Sequence, residues 1–203
     1  MVEDLATIDR LTGLYEAETA LDISLQEASG DGVSTDDYLG DLALITSSSS
    51  PEYVERSFKR LVERFSREAT PRVLSIIREQ ELEYGYESPA EQFIREKLSE
   101  APVVAKEWLG NLFLEYFDAP DVLVALLHAI SHFEYNDIFP TGQVMALAAL
   151  RHENPEVRES AVRAFENWGN SDSLKVLRAI RFREEWLQNY VEQVVRDLEQ
   201  ELQ

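Results

Sequence analysis

The sequence predicts an all-α chain built from stacked helical hairpins. Three observations carry that expectation. Apolar residues recur at helical spacing from residue 51 to the C-terminus. Pro, Gly and Asn fall at the boundaries of these periodic segments. Two segments align without gaps at an offset of 35 residues. Only 8 Gly and 7 Pro in 203 residues, with 44% hydrophobic residues, argue against a loop-rich β protein and leave ample material for a core.

The elements follow in order. Val2, Leu5, Ile8, Leu11 and Leu14 stand at steps of three and predict a short amphipathic helix over 2–15. Residues 19–50 lack helical periodicity and end in four Ser. They read as an extended acidic arm with a short helix at 36–45. The domain organisation expected is therefore an acidic, partly irregular arm over 1–50 and a helical repeat domain over 51–203. Ser50-Pro51 is an N-cap followed by Pro at the first helical position. It opens a helix over 51–67 with Val54, Phe58, Leu61, Val62 and Phe65 on one face, and Thr70-Pro71 is expected to start another.

Ser88-Pro89-Ala90-Glu91 is a capping box for a helix over 89–99. Ala101-Pro102 opens a helix over 102–117 carrying Val104, Trp108, Leu112 and Phe113. Asp118-Ala119-Pro120 breaks it and starts PDVLVALLHAISHF, apolar nearly all round and so expected to be central. EYNDIFP reads as a loop. Helices over 140–152, 155–169, 172–180 and 184–202 follow. Asn154-Pro155 opens the second of these four and Gly169-Asn170 closes it. The last helix has an apolar face (Leu187, Tyr190, Val191, Val194, Leu198) and a charged one, as the end of a helical stack requires.

In the 35-residue alignment, Pro120 and Val122 match Pro155 and Val157, and Leu126, Ala129, Ile130 and Phe133 match Ala161, Ala164, Phe165 and Trp168. Small residues in this face let helices approach closely. NPEVRESAVRAFENWGNSDSLKVL resembles the HEAT-repeat family and its bacterial relatives, whose second helix reads Asp-Pro-x-Val-Arg-x-x-Ala-x-x-Ala-Leu-x-x-Leu-Gly. Pro155, Val157, Arg158, Ala161, Ala164 and Gly169 fit that pattern. Asn154 replaces the Asp, and Phe165 and Trp168 replace Leu. The resemblance implies a right-handed α-solenoid in which 102–117 pairs with 120–133, 140–152 with 155–169, and 172–180 with 184–202.

Charge narrows the function. The formal net charge is −20. Residues 1–50 hold 11 acids against Arg10, and the last twenty residues hold six acids against Arg196. Nucleic acid and anionic membranes are both bound through Lys and Arg, so neither is an expected partner. A basic protein is the natural complement. Arg56, Arg60, Arg64 and Arg67 form a local stripe, but the glutamates beside it favour a salt-bridged solvent face or a seat for the acidic arm. No cysteine is present, which excludes disulfides and thiolate-held metals. The acidic N-terminus does not read as a secretory signal, and VLVALLHAI is too short to span a bilayer, so a cytoplasmic location is expected.

Chemistry-bearing patterns are sparse. His128 and His132 are four apart with Glu134 nearby, a spacing that can present two imidazoles to one metal, and His152-Glu153 adds a further pair. Di-iron members of the HEAT-like family repeat His-Glu dipeptides, whereas this chain has one such dipeptide. The alignment sets His128 opposite Arg163 and His132 opposite Asn167, positions expected on the helix surface. No phosphate loop or nucleophile elbow occurs. The expectation is a non-enzymatic, cofactor-free binding module for a basic partner, as an immunity protein would be. An adaptor or scaffold subunit is the first alternative, and a metal-dependent enzyme using His128 and His132 the second. The expected partner-binding residues are Glu156, Glu159, Arg163, Glu166 and Asn167 on one helix and Asn189, Glu192 and Arg196 on the next but one. The N-terminal helix is the expected route to self-association.

Overall fold

Pro, Asn and Gly punctuate the chain where the sequence places them, and the helices between them are all α. A computed structural model describes residues 40, 43, 51–79 and 87–202. The expected helix at 2–15 and nearly all of the acidic arm lie outside the described residues, although Gly40 and Ala43, inside the expected 36–45 segment, are helical. The described helices are α1 (Pro51–Glu79), α2 (Pro89–Glu100), α3 (Pro102–Glu115), α4 (Pro120–Ser131), α5 (Tyr135–Ile138), α6 (Thr141–Ala149), α7 (Pro155–Trp168), α8 (Ser171–Ala179) and α9 (Glu185–Glu201). No strand occurs among the described residues. No helix there is long and apolar enough to cross a membrane.

Two expectations about elements need correction. Thr70-Pro71 does not start a new helix, because α1 runs through it. An interior Pro removes one backbone hydrogen bond and crowds the preceding turn, at about 3 kcal/mol. Three residues buried just beyond it, Val73, Leu74 and Ile77, each contribute about 1.5–3 kcal/mol and outweigh that cost. EYNDIFP is not wholly a loop either. It contains the single turn α5, ended by a cis Phe139–Pro140 bond. Gly142 fits against this turn because it has no side chain: a Cβ there would stand 2.7 Å from Ile138 Cγ2.

The chain forms two compact units. Among the described residues, the first comprises 40, 43, 51–69 and 96–108. Its core contains Leu61, Val62, Phe65, Val104 and Trp108, all buried, with the Phe65 and Trp108 rings edge to face at 5.6 Å.

The second unit comprises residues 70–95 and 109–203. Its hub is α7, which packs against α4, α6, α8 and α9. The expected hairpin partners 140–152 with 155–169 and 172–180 with 184–202 are in contact here as α6 with α7 and α8 with α9. The most extensive packing joins α4 to α7, the two copies of the 35-residue repeat. Their matching residues Leu126, Ala129, Ile130, Phe133, Ala161, Ala164, Phe165 and Trp168 are all buried. The ends of α7 are capped as the sequence requires. Asn154 Oδ1 accepts from the Glu156 N–H at 2.8 Å, and Gly169 takes the left-handed conformation, φ 53°, donating to the Phe165 carbonyl. Asn170 then caps α8, accepting from the Asp172 and Ser173 amides.

Candidate functional site

The eight residues expected to bind a partner occupy two stripes, at i, i+3, i+7, i+10 and i+11 on α7 and at i, i+3 and i+7 on α9. Tyr190 ties the stripes together. Its hydroxyl donates to the Glu166 carboxylate, and the Arg163 guanidinium lies over its ring, 5.9 Å from the centroid. Burial first, then the bond to Glu166, holds the Tyr190 hydroxyl well above the ordinary tyrosine range, so it stays a donor. Glu159 accepts from Arg163 at 2.7 Å. Glu159, Arg163 and Glu166 are therefore half-buried and engaged inside the fold. Glu156, Asn167, Asn189, Glu192 and Arg196 face solvent. Sequence reasoning placed Tyr190 on the apolar face of the last helix and so missed its bridging part. The signal was a lone hydroxyl among aliphatic residues.

The histidines part company. His152 is buried and committed at both nitrogens. Its Nδ1 accepts from the Asn154 N–H at 3.0 Å, so its Nε2–H donates to the Phe117 carbonyl at 2.9 Å. It is a structural pin. Beside it, Arg158 donates to the carbonyls of His152 and Glu153 and pairs with Glu184 ahead of α9.

The expectation that His128 lies on the helix surface is corrected: it is 9% exposed on α4. The α4 helix packs extensively against α7, and positions four apart on it differ in exposure. His132, one turn on, is partly exposed, and the two rings meet edge to face at 4.6 Å.

Glu91 was expected to complete the capping box on α2, and only half of the box forms. Ser88 Oγ accepts from the Glu91 N–H at 3.1 Å. The Glu91 carboxylate, 3% exposed, turns instead to His132 Nδ1 at 2.8 Å and to Arg95 at 2.8 Å. A buried carboxylate needs such partners, because stripped of water it would cost several kcal/mol. No group of three His, Cys, Asp or Glu placed to hold a metal occurs among the described residues.

Burial chiefly, with His132 and Arg163 adding to it and Glu91 opposing, lowers the His128 pKa. The unfolded chain therefore binds more protons than the native one just below the ordinary histidine range. His128 costs stability as pH falls from about 7 toward 5. The thermal midpoint of the wild type should fall over that interval, and His128→Asn should show a shallower fall. Identical slopes in the two proteins would refute this assignment.

Next to His132 the surface opens into a pocket of about 430 Å³ lined by Ser131, His132, Phe133, Glu134, Tyr135, Asn167 and Trp168. The C-terminal ends of α4 and α7 shape it, held together by Asn167 Nδ2 donating to Ser131 Oγ at 3.1 Å. Glu134 precedes α5 and is exposed. The rings of Tyr135 and Trp168 stand edge to face at 5.6 Å. The Tyr135 hydroxyl and Trp168 Nε1 are buried and have no hydrogen-bond partner among the described residues. Of these residues only Asn167 belonged to the expected binding set. No protein-family model, curated protein or solved structure matches the chain.

Proposed function

We propose that the chain is a non-enzymatic protein-binding module. It is a HEAT-like right-handed solenoid whose acidic surface engages a basic protein, either neutralising it or holding it in a complex as an adaptor would. The solenoid reading draws support from the two repeat copies packing through their matching faces. The observation that carries the functional reading is the disposition of charge on α7 to α9. Four of the basic side chains there are paired with local acceptors: Arg158 with two carbonyls and Glu184, Arg163 with Glu159 and, at the surface, Lys175 with Asp172 and Arg178 with Glu199. Glu156, Glu185, Glu192, Asp197 and Glu201 remain at the surface. An acidic field of this kind speeds encounter with a basic partner and repels nucleic acid.

The test is capture of a partner from native lysate by the full chain at low and high salt, repeated with Glu156→Lys/Glu192→Lys. We expect a basic protein, lost at high salt and bound about tenfold more weakly by the charge-reversed variant. A partner indifferent to both changes overturns the reading.

A further inference from the structure

The pocket beside His132 combines a carboxylate with aromatic walls. Asn167 donates one of its two amide N–H groups to Ser131, and its Oδ1 remains an acceptor. His132 is tied through Nδ1 to Glu91 at 2.8 Å. Glu134 is an exposed carboxylate and accepts only. The Glu134 carboxylate and the Asn167 oxygen line one depression walled by Phe133, Tyr135 and Trp168. An anion would meet Glu134 within an acidic protein and is disfavoured. A neutral amide would leave the Glu134 carboxylate without a counter-charge. A guanidinium is flat, positive and carries five N–H donors in a fixed fork, and it stacks on aromatic walls.

We propose that this pocket receives an arginine side chain of a basic protein partner. The inference rests on the basic-partner reading above and adds to it a place and a residue type. It also gives the Glu91–Arg95–His132 pairing a purpose. Arg95 and His132 between them satisfy the buried Glu91, and Glu91 in turn fixes the His132 ring at the edge of the pocket.

The experiment titrates the full ¹⁵N-labelled chain with acetyl-arginine-amide and, separately, with the lysine and citrulline counterparts. Tryptophan side-chain N–H signals are followed, with Trp168 identified through Trp168→Phe. Arginine should shift the Trp168 signal saturably and leave that of Trp108 in place, lysine should bind more weakly, and citrulline should have no effect. Glu134→Gln should weaken arginine binding at least about threefold. This residue is exposed and makes no side-chain cap bond, so the variant should keep its helical circular dichroism. Citrulline or lysine acting as well as arginine, or a Trp168 signal that does not move, overturns the proposal. Failure of the two readings is separable. A basic partner that Glu134→Gln binds unchanged removes the pocket and keeps the acidic-surface reading. Arginine binding at Trp168 with no salt-sensitive partner does the reverse.

Discussion

Arg158→Ala should lower the unfolding free energy by about 3 kcal/mol. The Arg158 side chain is 11% exposed and makes two charge-assisted bonds to main-chain carbonyls, to His152 at 2.6 Å and Glu153 at 2.8 Å, besides its pairing with Glu184. These carbonyls belong to the turn between α6 and α7, where neither helix supplies them a donor. Truncation to Ala removes both bonds. It also leaves Glu184, which immediately precedes α9, without its cation. A charge-assisted bond is worth about 1.5–3 kcal/mol, so the two carbonyls, the part-buried one of His152 above all, dominate the loss. Glu184 is 36% exposed, and water screens its share to under about 1 kcal/mol.

Urea unfolding would measure all of this as a drop in midpoint at constant slope. Glu184→Gln should cost much less than Arg158→Ala. Arg158→Lys should fall between them, because one ammonium nitrogen cannot serve both carbonyls and Glu184 as Nη1 and Nη2 together do. Equal losses for Glu184→Gln and Arg158→Ala would mean that the ion pair, and not the turn, is what Arg158 secures.

Phe165→Ala should cost about 3–5 kcal/mol, and Phe165→Leu about 1–1.5 kcal/mol. Phe165 is fully buried on α7, in the face that α4 packs against, and its ring meets Trp168 edge to face at 5.5 Å. The Ala variant opens a cavity that the surrounding Ala161 and Ala164 are too small to fill. Leu is the residue the HEAT pattern carries at this position, and it refills most of the volume. At about 2–4 °C per kcal/mol, the Ala variant should melt roughly 10 °C below the wild type. Because Trp168 lines the arginine pocket, Phe165→Ala should also broaden the Trp168 N–H signal, which Phe165→Leu should preserve. Matching losses in the two variants would show that the α4–α7 contact collapses onto the gap.

The two substitutions probe different levels of organisation. Arg158 secures a turn whose partners sit five, six and 26 residues away, whereas Phe165 secures the contact between repeat copies. Both lie in the stretch from Asn154 to Gly169, the part of the chain most plainly written in its caps. Its Asn154 cap, its Pro155 start and its Gly169 stop each act within a few residues, and each is found where the sequence places it. The apolar period likewise assigns Val157, Ala161, Ala164 and Trp168 to the core, and all four are buried.

Helix caps, helical period and the 35-residue offset are local or self-similar properties, so the amino-acid order alone determines them. That is why α4, α7, α8 and α9 could be bounded to within one or two residues. The passage of α1 through Pro71 was decided by burial on the far side of the proline, a quantity that depends on neighbours distant in the chain. The Glu91–His132 bond spans 41 residues, and no spacing rule links them. A capping box told where Glu91 stands, yet the competition between its own backbone and the side chains of Arg95 and His132 was settled only by packing. His128 and His152 look alike in sequence to any other histidine on a helix or beside a turn. One became a buried neutral ring and the other a pin between two chain segments, because each entered a space that the tertiary fold had already closed to water. The pocket at Asn167 and Trp168 arises in the same way. Its members are read from two helix ends and a turn, and only the packing of α4 on α7 makes them neighbours.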